Sequence, residues 1–518
     1  LLQNPLPKPE NIAKITLGAV LMREKSQAVW PEAFVSTADT TVAVSRAVKA
    51  GQLRKLASRL YTRNLTDAPE NIVRRHLWPI VAGYFPGALI ADRTAIENAP
   101  AADGSICLIT DRGADIVLPG IVLRPRRGIG PLPTDRPYIG GLYLPSTGRS
   151  YLENMRPSRA RDGRLPRTLS RMEMEERLDA LIRRSGEEGV KRLRDEIRAE
   201  AKALGLVAEA NELDALIGTL LGTREAEMLS PTGRARRAGR PYDPDRLEMF
   251  QLLQRALRNH FPAPLMVGQR SPESQSTLAF FEAYFSNFIE GTEFEVGEAA
   301  DIVFNGVIPT ARPEDAHDVL GTWRLVSDDQ EMRRLPATGA QLLDLLRQRH
   351  AAIMDRRPDK GPGLFKAGGN RVGTTVFVAP DLVEGTLEQG FALARSLESA
   401  LQRAIFMMFL ITEVHPFADG NGRTARIMMN AELVAADEQR IIIPTVYRNN
   451  YLAALRAMTQ GSAPTPLIRT LDYAQRWTHA IRWSTVRESQ LAMEACNAFY
   501  DPNRADQDGV RLKMPDDV

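Results

Sequence analysis

His415-Pro-Phe-Ala-Asp-Gly-Asn-Gly-Arg-Thr-Ala-Arg426 decides how the chain is read. The apolar run Ala404–Ile411 ahead of it is far shorter than the ~20 residues of a membrane span and suits a buried helix. A histidine then stands before a proline, and Asp419 follows four residues on. Gly420-Asn421-Gly422 frees the backbone to turn, and 423–433 reads as a new helix. A glycine-rich turn into a helix N-terminus is an anion site, because its free N–H groups point outward and the dipole favours negative charge. Arg423 and Arg426 lie three apart and can share one helix face, so two guanidinium forks beside that nest suit a polyphosphate. Asp419 offers a hard oxygen to Mg²⁺, which binds phosphates through one or two carboxylates. His415 can take a proton at neutral pH. These parts fit in-line attack on phosphorus, which needs positioning and charge stabilisation more than covalent chemistry.

Outward from this stretch, 243–500 reads as almost wholly helical. Apolar residues recur at three- and four-residue spacing in 246–259, 338–354, 385–411, 423–437 and 464–483. The exception is 365–380, where Arg371-Val-Gly-Thr-Thr-Val-Phe-Val378 alternates like a strand behind Gly368-Gly369-Asn370, a β-hairpin signal. Ser286-Asn-Phe-Ile-Glu-Gly291 follows a helical, aromatic stretch, Phe280–Phe285.

Residues 415–426 match the motif H-P-F-x-[D/E]-G-N-G-R-x-x-R of the Fic family, and 243–518 resembles a Fic catalytic domain. The resemblance implies a protein adenylyltransferase that moves AMP from ATP onto a Ser, Thr or Tyr hydroxyl of a protein target. It implies His415 as general base and Asp419 as ligand of Mg²⁺. Gly420, Asn421 and Gly422 would cradle the phosphates, Arg423 and Arg426 would clamp the leaving part of ATP, and Phe417 would be apolar support. Arg371, Val372, Gly373 and Thr374 stand where such domains carry a flap that aligns the target by strand addition. Tyr447 and Tyr451 stand where adenine contacts fall. Ser286, Glu290 and Gly291 match the inhibitory pattern [S/T]-x-x-x-E-[G/N], in the class whose inhibitory helix precedes the core. By resemblance Glu290 pairs with Arg426, so that ATP binds askew. A role for Glu290 in orienting water for AMP removal stays open, as do another nucleotide donor and a homodimer.

The N-terminal half is basic in places. Residues 1–65 contain a helical stretch near 40–50, Gly51, and an apolar alternation with basic residues through Tyr61, which suits a winged helix-turn-helix. This phrase resembles the N-terminal winged helix of AbiEi-type antitoxins, which implies DNA contacts from Ser45, Arg46 and Lys49 on the second helix. Residues 66–229 read as mixed, then helical. A helix near 70–84 precedes β-like runs at 105–110 and 115–118; arginines 156, 159, 161, 164, 167 and 171 come next, then helices over 173–228 with Leu178, Leu181 and Ile182 at helical spacing. Residues 230–242, rich in Pro, Gly and Arg, read as a basic linker. The expected fold class is mainly α: a helical Fic domain with a β-hairpin flap, preceded by an α+β region containing the winged helix-turn-helix. A DNA-binding regulator with a Fic sensor module is the rival reading.

At 518 residues, 43% hydrophobic and 25% charged, the composition is that of a multidomain globular protein. Neither solenoid repeats nor a membrane span can be read. Cys107 and Cys496 have neither metal-type nor C-x-x-C spacing and read as reduced core thiols of a cytoplasmic protein. Leu1–Pro5 carries no basic n-region, so no secretory signal is expected. P-loop, H-E-x-x-H, G-x-S-x-G and EF-hand patterns are missing from the sequence. The other histidines (76, 260, 317, 350, 479) are scattered and read as surface or packing residues.

Overall fold

The computed structural model describes residues 30–517 apart from 112 and 162, and it divides into two compact units, Leu1–Ser230 and Pro231–Val518. The expectation about a secretory signal falls on residues 1–29, outside the described residues, as does the first part of the expected winged helix. The chain is mainly helical, with an α+β N-terminal unit.

In that unit β1 (Ala33–Val35), α1 (Thr41–Lys49), β2 (Arg54–Ala57) and β3 (Leu60–Thr62) form a helix on an antiparallel sheet of order β1-β3-β2. Val44 and Ala47, three apart, are the buried residues of α1 and pack with Leu53, Trp30 and Phe34. Ser45, Arg46 and Lys49 are exposed on α1. The helix expected over 70–84 is two, α2 (Pro69–Arg75) and α3 (Leu77–Tyr84), parted at His76 (φ −111, ψ 27), whose ring bonds Glu32 at 2.9 Å.

A six-stranded mixed sheet follows, built from β4 (Leu89–Ile90), β5 (Ser105–Ile109), β6 (Ile116–Leu118), β7 (Ile121–Arg126), β8 (Arg136–Pro137) and β9 (Tyr143–Leu144) in the order β6-β7-β5-β4-β9-β8, with α4 (Asp92–Glu97) after β4. All five residues of β5 are buried, which explains its lack of polar alternation. Helices α5 (Thr147–Asn154), α6 (Arg171–Leu204) and α7 (Val207–Leu220) close the unit. A capping box between Ser170 and Glu173 starts α6, Leu178, Leu181 and Ile182 are buried along it, and Gly186 at φ 61 interrupts it.

The C-terminal unit begins with α8 (Pro231–Arg237), a short helix inside the stretch expected as a linker. Its proline stands at the first helical position, where a missing N–H costs nothing. Then come α9 (Pro244–Leu257), α10 (Pro272–Ile289), α11 (Val296–Ala300), α12 (Pro313–Ser327), α13 (Asp329–Met332) and α14 (Gly339–Ile353). The hairpin strands β10 (Arg371–Val372) and β11 (Thr375–Val376) lead to α15 (Val383–Ala394), α16 (Ala400–Val414) and α17 (Asn421–Val434). Helices α18 (Arg448–Gly461), α19 (Pro464–Ala480), α20 (Val486–Ala495) and α21 (Pro502–Asp508) complete it.

Every residue from Ala404 to Ile411 is 0% exposed, so α16 is the central helix and is apolar all round because it is packed all round. The periodic stretch 385–411 breaks before Ser399, whose hydroxyl caps α16 in a box with Gln402. No described helix is long and apolar enough to cross a membrane. Cys107 and Cys496 are free and buried.

Candidate active site

Helix α16 ends where His415 turns left-handed (φ 52, ψ 60), and α17 starts on Gly420, also left-handed (φ 69). Between them Pro416 cannot continue a helix. Asn421 holds the loop: its Oδ1 accepts the Phe417 N–H at 2.8 Å and its Nδ2 donates to the Phe417 carbonyl at 2.9 Å. Both polar atoms of the Asn421 side chain are thus engaged by the Phe417 backbone. The first in-helix bond of α17 runs from Thr424 N–H to Gly420 O at 3.0 Å, so the amides of 421–423 have no acceptor within the helix.

A carboxylate of the chain itself sits at this helix start. Glu290, the residue capping the C-terminus of α10, brings Oε1 so close that a Cβ built on Gly422 would lie 2.0 Å from it. Arg426 grips the end of α10 at three points. Its Nε donates to Ser286 Oγ at 2.9 Å, and its Nη2 donates to Ser286 O at 2.8 Å and to Glu290 Oε1 at 2.7 Å. Gly291 follows at φ 94, a conformation that favours glycine. The sequence expectation of a Glu290–Arg426 pair thus has its geometric counterpart.

Arg423 does not join Arg426. Its Nη1 pairs with Asp318 Oδ2 of α12 at 2.8 Å, both side chains being 4% exposed, and its Nη2 meets Met354 Sδ at 3.3 Å. Spacing put both guanidiniums on one helix face, but neighbouring helices turn them to different acids. Asp318 also receives Arg357 at 2.9 Å.

The His415 Nδ1 lies 3.2 Å from the Thr412 carbonyl. A carbonyl only accepts, so Nδ1 carries the proton and Nε2 is left with a lone pair. Phe377 covers the ring, with centroids 3.9 Å apart and planes 6° from parallel. Burial pushes the imidazole down to about 4, and the Lys366 charge acts in the same direction. The exposed Asp419 accepts the Gly420 N–H on Oδ1 at 2.6 Å, and its carbonyl accepts from His350 Nε2 at 3.0 Å. His350, expected to be a packing residue, stacks on Phe417 at 3.7 Å and takes the Gly363 N–H on Nδ1 at 3.0 Å. That neutral tautomer, buried, accords with a pKa lowered to about 4, chiefly by burial. Lys366 and Asn370, which sequence reading passed over, reach the loop from the hairpin side.

Hairpin residues Arg371, Val372, Gly373 and Thr374 are exposed. The turn is Gly373-Thr374, with Gly373 at φ 57, rather than at Gly368-Gly369-Asn370. Tyr451 is 1% exposed, with its hydroxyl 3.3 Å from Met408 Sδ, and belongs to the core. Tyr447 packs on Tyr473 at 5.6 Å. Of the two tyrosines expected as adenine contacts, Tyr451 is buried and Tyr447 half-buried. Among the described residues no group of three His, Cys, Asp or Glu could hold a metal ion. A lone exposed carboxylate such as Asp419 fits Mg²⁺ only where phosphate oxygens and water complete the shell.

Residues 341–433 match the Fic/DOC family. The protein adenylyltransferase Fic of Drosophila persimilis is 25% identical over 260 residues, covering 47% of this chain and 49% of that protein. The protein adenylyltransferase fic-1 of Caenorhabditis briggsae is 26% identical over 227 residues, covering 41% of this chain and 43% of that protein. The chain thus spans about half the length of the curated relatives it matches. Among solved structures, Fic-1 from C. elegans aligns at a TM-score of 0.34 and 20% identity, covering 62% of this chain and 96% of that one.

Proposed function

We propose that this protein is a Fic-type nucleotidylyltransferase that transfers AMP from ATP to a Ser, Thr or Tyr hydroxyl of a protein target, and that Glu290 holds it off. The observation that carries the reading is the Glu290 carboxylate on Arg426 at the α17 N-terminus, beside a His415 whose Nε2 is free to accept a proton. A carboxylate lodged in an anion nest marks where a phosphate is to lie. While it holds Arg426, that guanidinium cannot clamp the leaving phosphates.

The chemistry follows from groups on this chain. A target segment lies along the exposed hairpin edge and presents its hydroxyl to His415. As the oxygen bonds the α-phosphorus, Nε2 takes its proton and the bond to the pyrophosphate oxygen breaks. The free amides of Asn421, Gly422 and Arg423 face the developing charge. Arg426, once released, clamps the leaving group. Asp419 would hold Mg²⁺ through Oδ2, and the ion, when bound, would offset the charge of the leaving phosphates. The buried Arg423–Asp318 pair supports a structural role for Arg423 in place of a second clamp.

ATP labelled on its α-phosphate, with Mg²⁺ and host lysate, tests the reading. Label should enter protein with Glu290→Gly and vanish with Glu290→Gly/His415→Ala. No label with any variant would overturn AMP transfer and direct attention to other donors or to AMP removal from premodified protein.

A second reading concerns the N-terminal unit. Exposed Ser45, Arg46 and Lys49 on α1, next to the basic β2–β3 hairpin, favour a winged-helix DNA contact, compatible with the enzyme in one chain. A salt-dependent shift of duplex DNA that Arg46→Ala/Lys49→Ala weakens would support it; no shift at low salt would dismiss it.

A further inference from the structure

We infer that Lys366 and Asn370 on one side, and Arg246 and Glu413 on the other, form a two-point mount that fixes the hairpin flap and His415 as one rigid piece, and that all four are positioning residues. The inference rests on the AMP-transfer reading.

The first point of the mount captures four successive carbonyls of the catalytic loop. Lys366 Nζ donates to Val414 O at 3.3 Å, and Asn370 Nδ2 donates to His415 O at 3.5 Å and to Phe417 O at 3.0 Å. The Lys366 N–H donates to Pro416 O at 2.9 Å. Lys366 Nζ also donates to Asn370 Oδ1 at 2.7 Å, which locks the two side chains together. Lys366 is 6% exposed and, among the described residues, faces no carboxylate within ion-pairing distance. A buried ammonium is costly unless its protons are used. Here they point at the C-terminal end of α16, the negative end of that helix. The bonds act where the backbone is least comfortable, at the left-handed His415.

The second point lies at the other end of the hairpin. Arg246 of α9 donates through Nη2 to Val376 O at 2.6 Å, while its Nε lies 3.1 Å from Glu413 Oε1. Glu413, two residues before His415, is 1% exposed and accepts from Thr459 Oγ1 at 2.6 Å. The flap strands begin immediately after Asn370 and end at Val376, so both ends are tied to the segment 413–417. Phe377 lies flat on the His415 ring between the two ties. A target strand seated on β10 or β11 is thereby registered against Nε2 with no free joint between them.

The test is made in the full chain carrying Glu290→Gly, with α-labelled ATP as probe. Lys366→Met and Asn370→Ala should each lower the rate of label incorporation about 100-fold while leaving the KM for ATP within about twofold. Lys366→Arg should restore part of it. A purely structural loss is separated by ¹⁵N-histidine spectra recorded without nucleotide. The charged groups acting on His415 are Lys366, Glu290 and Asp419, and with Glu290 removed, Lys366→Met should raise the imidazole pKa while Lys366→Arg does not. A folded Lys366→Met protein with unchanged rate and unchanged His415 resonances would overturn the mount. If the Glu290→Gly parent itself transfers nothing, the AMP reading has failed. The spectra alone then decide: His415 resonances that move with Lys366→Met support the mount, and unmoved ones overturn it.

Discussion

Arg149 in the N-terminal unit and Arg426 in the C-terminal unit are both buried arginines gripping a glutamate, yet they differ in what surrounds the acid. Arg149 is 0% exposed and pairs with Asp135 (2.6 Å, 0%) and Glu153 (3.0 Å, 7%). It also donates to the carbonyls of Gly130 at 2.9 Å and Ile129 at 2.5 Å. Arg426 is 6% exposed, but its Glu290 is 35% exposed and sits on the last turn of a helix. Opening the first network would strand charge in the interior. Opening the second sends a carboxylate into water and leaves a guanidinium facing the anion nest. Closed networks hold a fold; a pair with one wet partner can serve as a latch. Arg423–Asp318, with both partners 4% exposed, is of the closed kind although it lies three residues from Arg426.

The comparison breaks first at Arg149. Arg149→Ala should cost about 3–5 kcal/mol of folding stability, seen in denaturant unfolding of the full chain, because buried Asp135 loses its cation and Glu153 keeps only Arg126, at 3.3 Å. A cost below about 1 kcal/mol would put this network with the exposed pairs. Glu290→Gly should raise label transfer about 100-fold, equivalent to ~2.7 kcal/mol, with stability changed by less than about 1 kcal/mol. Asp318→Asn should lower stability by about 1–3 kcal/mol, since one amide must serve both Arg423 and Arg357, without raising transfer. A gain of activity in that variant would show Asp318 to be a second latch. The smallest effect on transfer is that of pH. With His415 lowered to about 4, transfer by Glu290→Gly should stay level as pH falls below 6.5 and lose its base only near 4. His350, also lowered to about 4, is neutral in the folded chain while the unfolded chain takes up a proton near 6.5. His350 therefore withdraws on the order of 3 kcal/mol of stability as pH falls from 6.5 to 4, with His415 acting in the same direction, in thermal melts.

Much of this was legible in local pattern. The motif, the hairpin, the buried run 404–411 and the periodic core of α6 each declare themselves within a dozen residues or so, where helix and strand periods act. Glu290 was legible only through resemblance, its partner Arg426 lying 136 residues away. What stayed hidden shares that trait without a motif to flag it. Lys366 meets its carbonyl 48 residues on, and His350 meets Asp419 after 69. The Arg423–Asp318 pair was hidden because spacing says which face a side chain leaves from and nothing about which acid awaits it. The burial of Tyr451 was hidden for the same reason, since it depends on α16 packing against it. The short helix α8 was missed because Pro, Gly and Arg content describes flexibility only when nothing caps or packs the segment.

The gap over Gly422 has one more consequence, in terms of heredity. The space where a Cβ would stand 2.0 Å from the Glu290 carboxylate is occupied by this carboxylate at rest and, in the proposed reaction, is approached by phosphate. In that reaction a mutation that adds a side chain at 422 would strike both occupants together, displacing the Glu290 carboxylate and obstructing the substrate in the same stroke. A mutation at 290 would remove the proposed restraint alone. If the proposed restraint holds, runaway variants should therefore arise at position 290 and not at position 422.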